Sequence, residues 1–373
     1  MLFLVCQRKQ IPPELIGRIA GSLQPVPIFE VSTLARNVGG QHDQHAPGVA
    51  MPVSLVITDT DQIYVVISDL FGDAIRRNAS VRRIESDGTV TMIAGPIKSM
   101  HGGFRDGPGR AARFTSPEGI IMGTNGNLLV ADSDNQCIRK IWKSGFVTTL
   151  FGVPNSGPGD GGFFEQPCDM AVDAQGHIFV SDFEAHCIKK IDVRTKQIST
   201  VAGTGKSLDE DIAKQDVGPA LEVCVSYPGC LAFDPQGRLL FSSEQGLRRI
   251  DLAENPPTVH YVFADFNIEL TSFTVDAEGT IIGCGASPMG VHEDLFEDHS
   301  IVILRADGKL ANGKLPVLAG DASEGHVDGS AAEARFDSPS CVALDSAGNV
   351  IVADAFNNSV RKIACVEYTF SPC

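Results

Sequence analysis

Gly126-Asn127-Leu128-Leu129-Val130-Ala131-Asp132 and, after five intervening residues, Ile138-Arg139-Lys140-Ile141 form a pattern that this chain repeats. A second copy runs from Gly176 to Ile191, and a third runs from Gly348 to Ile363. In each copy 15 positions separate the glycine from the last isoleucine. A spacing that is constant to the residue indicates one structural unit that is used several times.

The repeated unit has the pattern of four short strands joined by turns. Around the first copy, Phe114-x-x-Pro117 precedes an apolar run, and residues 146–150 supply a last strand. The pair Asn125-Gly126 is typical of a two-residue hairpin turn. Four antiparallel strands connected in this way form one blade of a β-propeller.

Six such units predict an all-β fold, a six-bladed β-propeller of four-stranded antiparallel blades. The blades are expected at about 51–95, 105–152, 163–203, 227–265, 270–320 and 336–365. The propeller is expected to occupy residues 30–370, after an N-terminal extension at 1–29. Within that extension, the apolar spacing at 11–23 predicts a short helix.

The sixth unit has no obvious fourth strand, and two segments could provide it. Residues 30–35 (Glu-Val-Ser-Thr-Leu-Ala) closely match the fourth strand at 198–202 (Ile-Ser-Thr-Val-Ala). Residues 366–370 are the competing candidate. Only Ala364 and Cys365 separate them from Ile363, the end of the third strand, and neither residue favours a turn. We therefore expect the N-terminal strand to complete the last blade and close the ring, which would otherwise leave an unpaired edge.

The repeat resembles the NHL family in its Gly-Asn-Leu-Leu-Val-Ala-Asp and Ile-Arg-Lys-Ile segments. The resemblance covers about residues 31–365 and is strongest in the second, third and sixth copies. It implies a β-propeller, and the count of units in this chain implies six blades. It also implies a protein-binding module, since NHL-type domains commonly act beside ubiquitin-ligase or thioredoxin-like domains, whereas the relatives that bind RNA do so through basic faces. Residues 11–23 loosely resemble the opening of an F-box; otherwise this helix packs on the propeller or belongs to a truncated upstream domain.

Composition narrows the classes of function. The chain has 46 acidic and 30 basic residues, a net charge of −16, which disfavours binding to nucleic acid. No apolar stretch is long enough to span a membrane, and the apolar start lacks the features of a signal peptide. The ten cysteines include no C-x-x-C pair, so reduced thiols and a cytoplasmic location are expected. We expect a monomeric propeller.

In this fold the innermost strand of each blade begins just after the proline of the Phe-x-x-Pro segment, so the residues there should surround one mouth of the central channel. The candidate binding residues at this mouth are Ser54, Glu118, Cys168, Asp169, Cys230, Ser272 and Cys341. Three thiols and two carboxylates could form a soft metal site. The competing interpretation is a set of small residues that fit a tapering channel. No histidine joins the ring, which counts against a catalytic zinc of the usual type. We expect no catalytic residue, no metal and no cofactor.

Two insertions interrupt the repeat at 206–218 and 287–299. Their acidic residues are candidate binding residues for a basic partner: Asp209, Glu210, Asp211, Glu293, Asp294, Glu297 and Asp298. Long loops on a rigid scaffold often determine binding specificity. The competing interpretation is that these are surface loops that the fold merely tolerates, which would show the same sequence pattern.

Other polar residues have simpler structural interpretations. The aspartates at the end of the second strands (Asp69, Asp132, Asp182 and Asp354) are expected to bond to nearby backbone. His186 stands where other copies have Gln136 or Asn358, and we interpret it as a solvated variant. His42-x-x-His45 is a weak ligand pair in a loop.

The sequence therefore predicts a protein-interaction scaffold that binds a protein partner through its loop face. The alternative is a metal-dependent enzyme of the lactonase or lyase type with a metal at the channel mouth.

Overall fold

A computed structural model describes residues 23–38, 50–69, 79–96, 102–154, 163–207, 216–263, 268, 270–285, 299–304, 316–321 and 323–372. The helix predicted at 11–23 lies outside these residues except for Leu23, which begins a strand. In chain order the strands are β1 (Leu23–Arg36), β2 (Ala50–Ile57), β3 (Ile63–Asp69), β4 (Ser80–Ile84), β5 (Val90–Ala94), β6 (Pro117–Met122), β7 (Leu128–Asp132), β8 (Cys137–Ile141), β9 (Val147–Gly152), β10 (Pro167–Val172), β11 (Ile178–Asp182), β12 (Cys187–Ile191), β13 (Ile198–Ala202), β14 (Gly218–Pro219), β15 (Leu231–Phe233), β16 (Leu239–Phe241), β17 (Arg248–Asp251), β18 (Thr258–Tyr261), β19 (Ser272–Val275), β20 (Ile281–Cys284), β21 (Ile301–Leu304), β22 (Val317–Ala319), β23 (Gly329–Ser330), β24 (Pro339–Leu344), β25 (Val350–Asp354) and β26 (Ser359–Pro372).

These strands form six antiparallel sheets, one for each predicted blade. Blades 1, 2, 3 and 5 are β2–β5, β6–β9, β10–β13 and β19–β22, and blade 4 is β15–β18 with β14 added at its outer edge. Blade 6 has the order β24-β25-β26-β1, with β23 outside β1. The six-bladed all-β propeller is thus confirmed.

A hairpin turn is present at Asn125-Gly126, but three residues, 124–126, lie between the hydrogen-bonded Gly123 and Asn127, one more than predicted. Asn125 and Gly126 have φ values of 67° and 69°, and the Gly123 N–H donates to the Asn127 carbonyl at 2.8 Å. Positive φ at both central residues suits the right-handed twist of the flanking strands. The described helices are single 3-10 turns at Gly109–Ala111, Thr124–Gly126 and Ser133–Asn135, none of which has the length to cross a membrane.

The N-terminal strand closes the ring, as predicted. Thr33 of β1 lies opposite Arg361 of β26, and Thr149 of β9 lies opposite Arg139 of β8, so β1 occupies the fourth-strand position. The equivalence extends to side chains. Thr33 Oγ1 donates to Asp328 at 2.9 Å, and the Thr149 N–H donates to Asp106 at 3.0 Å.

The alternative prediction, that residues 366–370 form the fourth strand of blade 6, was wrong. Residues 366–370 continue β26 instead of turning back, and residues 367–370 pair with β1 from Pro25 to Ile28. The closing strand is also longer than predicted, because it starts at Leu23 and not near residue 30.

The apolar core is divided into six clusters, each between two neighbouring blades. Phe114, Phe164 and Phe336, three residues before the proline of their blades, are at most 2% exposed and fill three of these interfaces. Val31 of β1 belongs to the cluster between blades 5 and 6, so the closing strand packs into the core as well as completing a sheet. Burial of this kind is the main stabilising term of the ring.

Candidate binding site at the channel mouth

The two ends of the propeller differ in the length of their connections. At the end where the inner strands finish, most connections are turns of five or six residues, such as 123–127, and the exception is 305–316. At the end where the inner strands begin, interblade connections run from ten residues, between Tyr261 and Ser272, to 28 residues, between Ala202 and Leu231. We call this second end the loop face; it also carries the turns between second and third strands.

All seven predicted mouth residues line one cavity in the channel, with a volume of about 710 Å³. They occupy two successive positions on the inner strands. Glu118 and Cys168 come first after the proline, nearest the loop face. The second position defines an inner ring formed by Ser54, Gly119, Asp169, Cys230, Ser272 and Cys341.

Most of the inner ring holds neighbouring blades together. Asp169 Oδ2 accepts the N–H of Leu231 at 2.8 Å, and Cys230 Sγ accepts that of Phe273 at 3.4 Å. The next two blades repeat the contact. Ser272 Oγ accepts from Val342 at 3.3 Å, and Cys341 Sγ accepts from Leu55 at 3.4 Å. In each case the donor directly follows the ring residue of the next blade.

Gly119 is the exception in the ring, and the close packing of blade 3 explains it. A Cβ at Gly119 would lie 2.4 Å from the Cys168 carbonyl oxygen and 2.9 Å from Asp169 Cα. Neither backbone atom can move away cheaply, so a side chain is excluded here.

The thiols at the channel mouth, Cys168 and the two inner-ring cysteines, are held in their neutral form. Burial raises the pKa of Cys168 and of Cys230 well above the ordinary 9.0, and nearby carboxylates reinforce the shift. Burial also raises the pKa of Cys341. Since the thiolate is the nucleophile and the metal ligand, these thiols are poorly suited to either role at neutral pH.

Asp169 lines the cavity and is half-buried, and the surrounding protein shields its carboxyl group from water. This desolvation raises the pKa of its carboxyl, while the N–H groups of Leu231 and Met170 oppose the shift. The Asp169 carboxyl thus combines a structural bond with a face toward the cavity.

The mouth does not gather a metal-ligand set. Among the described residues, three ligand atoms come within 4.8 Å of one another at His299, Glu324 and Asp337, and not in the inner ring. His299 Nδ1 already accepts the N–H of Ser338 at 3.2 Å. This cluster was not foreseen from the sequence, and its histidine has a structural role.

His186 shows that role again, and the interpretation of it as a solvated variant was wrong. It is 8% exposed, and its Nδ1 accepts the N–H of Tyr227 at 3.3 Å. His186 of blade 3 and His299 of blade 5 therefore bond to the residue before the proline of the next blade. The signal in the sequence is their shared position just before a third strand.

The repeated aspartates are buried inside their blades. Asp354 accepts Arg361 Nη1 at 2.8 Å and the N–H of Asp337 at 2.8 Å. Asp132 pairs with Arg139 in the same way, and Asp182 pairs with Lys189 at 2.6 Å. Asp69 does not belong to this set, because Ile67 lies opposite Pro52, as Asp132 lies opposite Pro117.

Acidic side chains lie in three of the described turns between second and third strands on the loop face. The turns that join second to third strands in blades 2, 3, 4 and 6 contain Asp134, Glu184 and Glu244 and no Lys or Arg. Glu165 and Asp337 lie just before inner strands on the same face. The predicted loop residues Asp209, Glu210, Asp211, Glu293, Asp294, Glu297 and Asp298, like His42 and His45, lie outside the described residues.

Comparison with known proteins supports the repeat. The NHL repeat model matches residues 114–141, 164–191 and 336–363. No curated protein is similar enough in sequence to match the chain.

Solved structures share the fold at low identity. The gluconolactonase XC5397 from Xanthomonas campestris is 12% identical with a TM-score of 0.57, covering 93% of this chain and 98% of that one. An auxiliary nutrient binding protein from Bacteroides thetaiotaomicron is 13% identical with a TM-score of 0.59, covering 92% and 77%. A streptogramin B lyase is 12% identical with a TM-score of 0.50, covering 91% and 98%. At these identities the likeness concerns the fold alone, since one fold hosts many functions.

Proposed function

Because this chain is an NHL-type six-bladed β-propeller, we propose that it is an interaction scaffold whose loop face binds a basic protein partner. The observation that carries the proposal is the contrast in connection length between the two ends, because the long interblade connections lie on the loop face. Three described turns of this face also carry an acidic residue and no Lys or Arg. Long loops on a rigid scaffold are where binding residues concentrate. A negative surface would steer and orient a positively charged partner.

The polar residues of the channel mouth also favour a scaffold over an enzyme. Four inner-ring side chains are occupied by interblade bonds, and the thiols among them are protonated. A nucleophile or general base needs a partner that activates it, and the described ring offers none. The alternative of a metal-dependent lactonase or lyase would need ligand atoms that converge, which the inner ring does not supply.

Charge reversal tests the scaffold directly. The tagged protein is used to capture partners, and the Glu184→Lys/Glu244→Lys double variant is compared with Glu278→Lys, an exposed residue in a turn at the opposite end. We expect a partner that binds the wild type and Glu278→Lys and is weakened about tenfold or more in the double variant, with binding that declines as salt is raised. A partner bound equally by all three proteins would contradict the loop face as the binding surface. Hydrolysis of a lactone or ester by the pure protein with a stoichiometric divalent metal would support the enzyme instead.

A further inference from the structure

We propose that the channel cavity is a binding site for an uncharged, mainly apolar small molecule. The cavity has a volume of about 710 Å³, which is the size of a small-molecule site. Residues from the inner strands of all six blades line it, so the cavity occupies the centre of the ring. A concave cavity with a mainly apolar wall and a few polar groups is the common form of a ligand site.

The charged side chains of the wall are already engaged with the protein itself. Asp169 accepts the Leu231 N–H at 2.8 Å, and Glu118 interacts with the Cys168 thiol. The other bonding side chains of the inner ring hold the next blade in the same way as Asp169. The described lining contains no Lys, Arg or His. A ligand that depends on an ionic bond would have to compete with these contacts, whereas an uncharged ligand leaves them in place.

The half of the cavity away from the loop face is apolar. Among the described lining residues, no charged group lies beyond the second position of an inner strand. Apolar side chains line this half and are only half-buried, namely those of Ile57, Ile121, Val275 and Leu344. Apolar surface that the protein does not cover is stabilised by an apolar ligand, by about 25 cal/mol for each Å² removed from water.

Uncharged polar groups and one aromatic ring complete the wall. The hydroxyls of Thr271 and Thr274 have no hydrogen-bond partner among the described residues, and both threonines line the cavity. Phe183 lines the mouth, and its ring packs against that of Tyr227 with the centroids 4.9 Å apart. A ring held in this way favours a ligand that is itself aromatic. An aromatic body with a hydroxyl or carbonyl group therefore fits the wall.

Other ligand classes fit less well. An anion would face the carboxylates of Glu118 and Asp169 without a cation in the described lining to offset them. A cation would lose its hydration among apolar side chains, or would displace a contact that these carboxylates already make. A metal ion needs converging ligand atoms, and among the described residues three of these meet at His299 and not in this wall. A channel that holds only water is the sharpest competitor.

Calorimetric titration of the full chain with three probes that share a naphthalene body separates these cases. 1-Naphthalenemethanol is uncharged, 1-naphthylmethylammonium is a cation and 1-naphthoate is an anion. We expect the alcohol to bind at least about tenfold more tightly than either ion, because only the ions must bury a charge. No binding of the alcohol at about 1 mM, or an ion that binds as tightly as the alcohol, would overturn the proposal.

A near-isosteric pair of substitutions at Thr274 tests the apolar wall. Thr274→Asp places a charge in the apolar half of the cavity, and we expect it to weaken binding of the alcohol about tenfold. Thr274→Val keeps the shape of the side chain and should change the affinity by less than about threefold. Ala277→Asp is the matched control, because Ala277 is exposed in a short turn and does not line the cavity. Full affinity in Thr274→Asp, or equal losses in Thr274→Asp and Thr274→Val, would contradict an apolar site.

Thermal unfolding of each variant shows whether it is folded, and the comparison of the three probes uses the wild type alone. The proposal does not depend on the protein partner. Binding of 1-naphthalenemethanol should persist in the Glu184→Lys/Glu244→Lys variant, so failure of one proposal can be told from failure of the other.

Discussion

Different types of side chain form the same interblade hydrogen bond in this propeller. At one position of the inner strand, Asp169, Cys230, Ser272 and Cys341 all accept the N–H of the following blade. Carboxylate, thiol and hydroxyl groups all accept hydrogen bonds, so the position constrains the bond and not the residue type. Because of this variety, the sequence suggested a chemical site where the structure has a shared structural contact.

Asp169 gives a direct test of that contact. In Asp169→Ala the N–H of Leu231 loses its acceptor, and leaving a poorly hydrated donor unpaired costs about 1–3 kcal/mol in the free energy of unfolding. In Asp169→Asn the amide oxygen still accepts the bond, and the cost should stay below about 1 kcal/mol. Urea unfolding of both variants measures the difference. Equal losses in the two variants would mean that the charge, and not the bond to Leu231, is what matters.

At the scale of elements, the closing strand β1 lies at the opposite end of the chain from the other strands of its blade. Its place in blade 6 was nevertheless predicted correctly from the sequence. The prediction was possible because the pattern around Thr33 repeats that of the other fourth strands, and the structure gives Thr33 the same kind of aspartate partner as Thr149. The full length of β1 was not predictable in the same way. Pro25 and Pro27 cannot donate to a ladder and argue against a strand, yet a strand that is paired on one side tolerates them.

The closing strand should be essential to stability through its buried face. Val31→Asp places an unpaired charge in the cluster between blades 5 and 6, where Val31 is 2% exposed. We expect a loss of about 3 kcal/mol or more, because a buried charge without a partner is costly. Ser32→Asp is the control, since Ser32 is exposed on the opposite face of the same strand and should change stability by less than about 0.5 kcal/mol. Chemical denaturation of the two variants decides the point, and similar losses would show that β1 does not pack into the core.

For the molecule as a whole, the repeat was sufficient to predict the number of blades and their strands. The contact survives even in blade 4, where the spacing changes: Ser243 and Arg248, five positions apart instead of seven, replace the usual aspartate and its partner and remain bonded at 3.0 Å. The positions of the candidate residues around one cavity were also predictable, because they follow from the start of each inner strand. Their bonding was not, since it depends on contacts between blades that no single repeat contains.

The difference between the two ends belongs to the same scale. The long connections come from separate blades and share one face only because every inner strand begins at that end. Glu184 and Glu244 lie in turns of neighbouring blades on this face. The chain therefore offers a ring with long connections at one end and a channel that opens among the inner strands.

Hydrogen–deuterium exchange of the propeller, alone and with its captured protein partner, tests the central claim most directly. The account predicts that protection appears in turns of the loop face, including those at 183–186 and 242–247, and not in the short turns at 123–127 and 276–280. Protection confined to the short turns would contradict a scaffold that binds through its loop face.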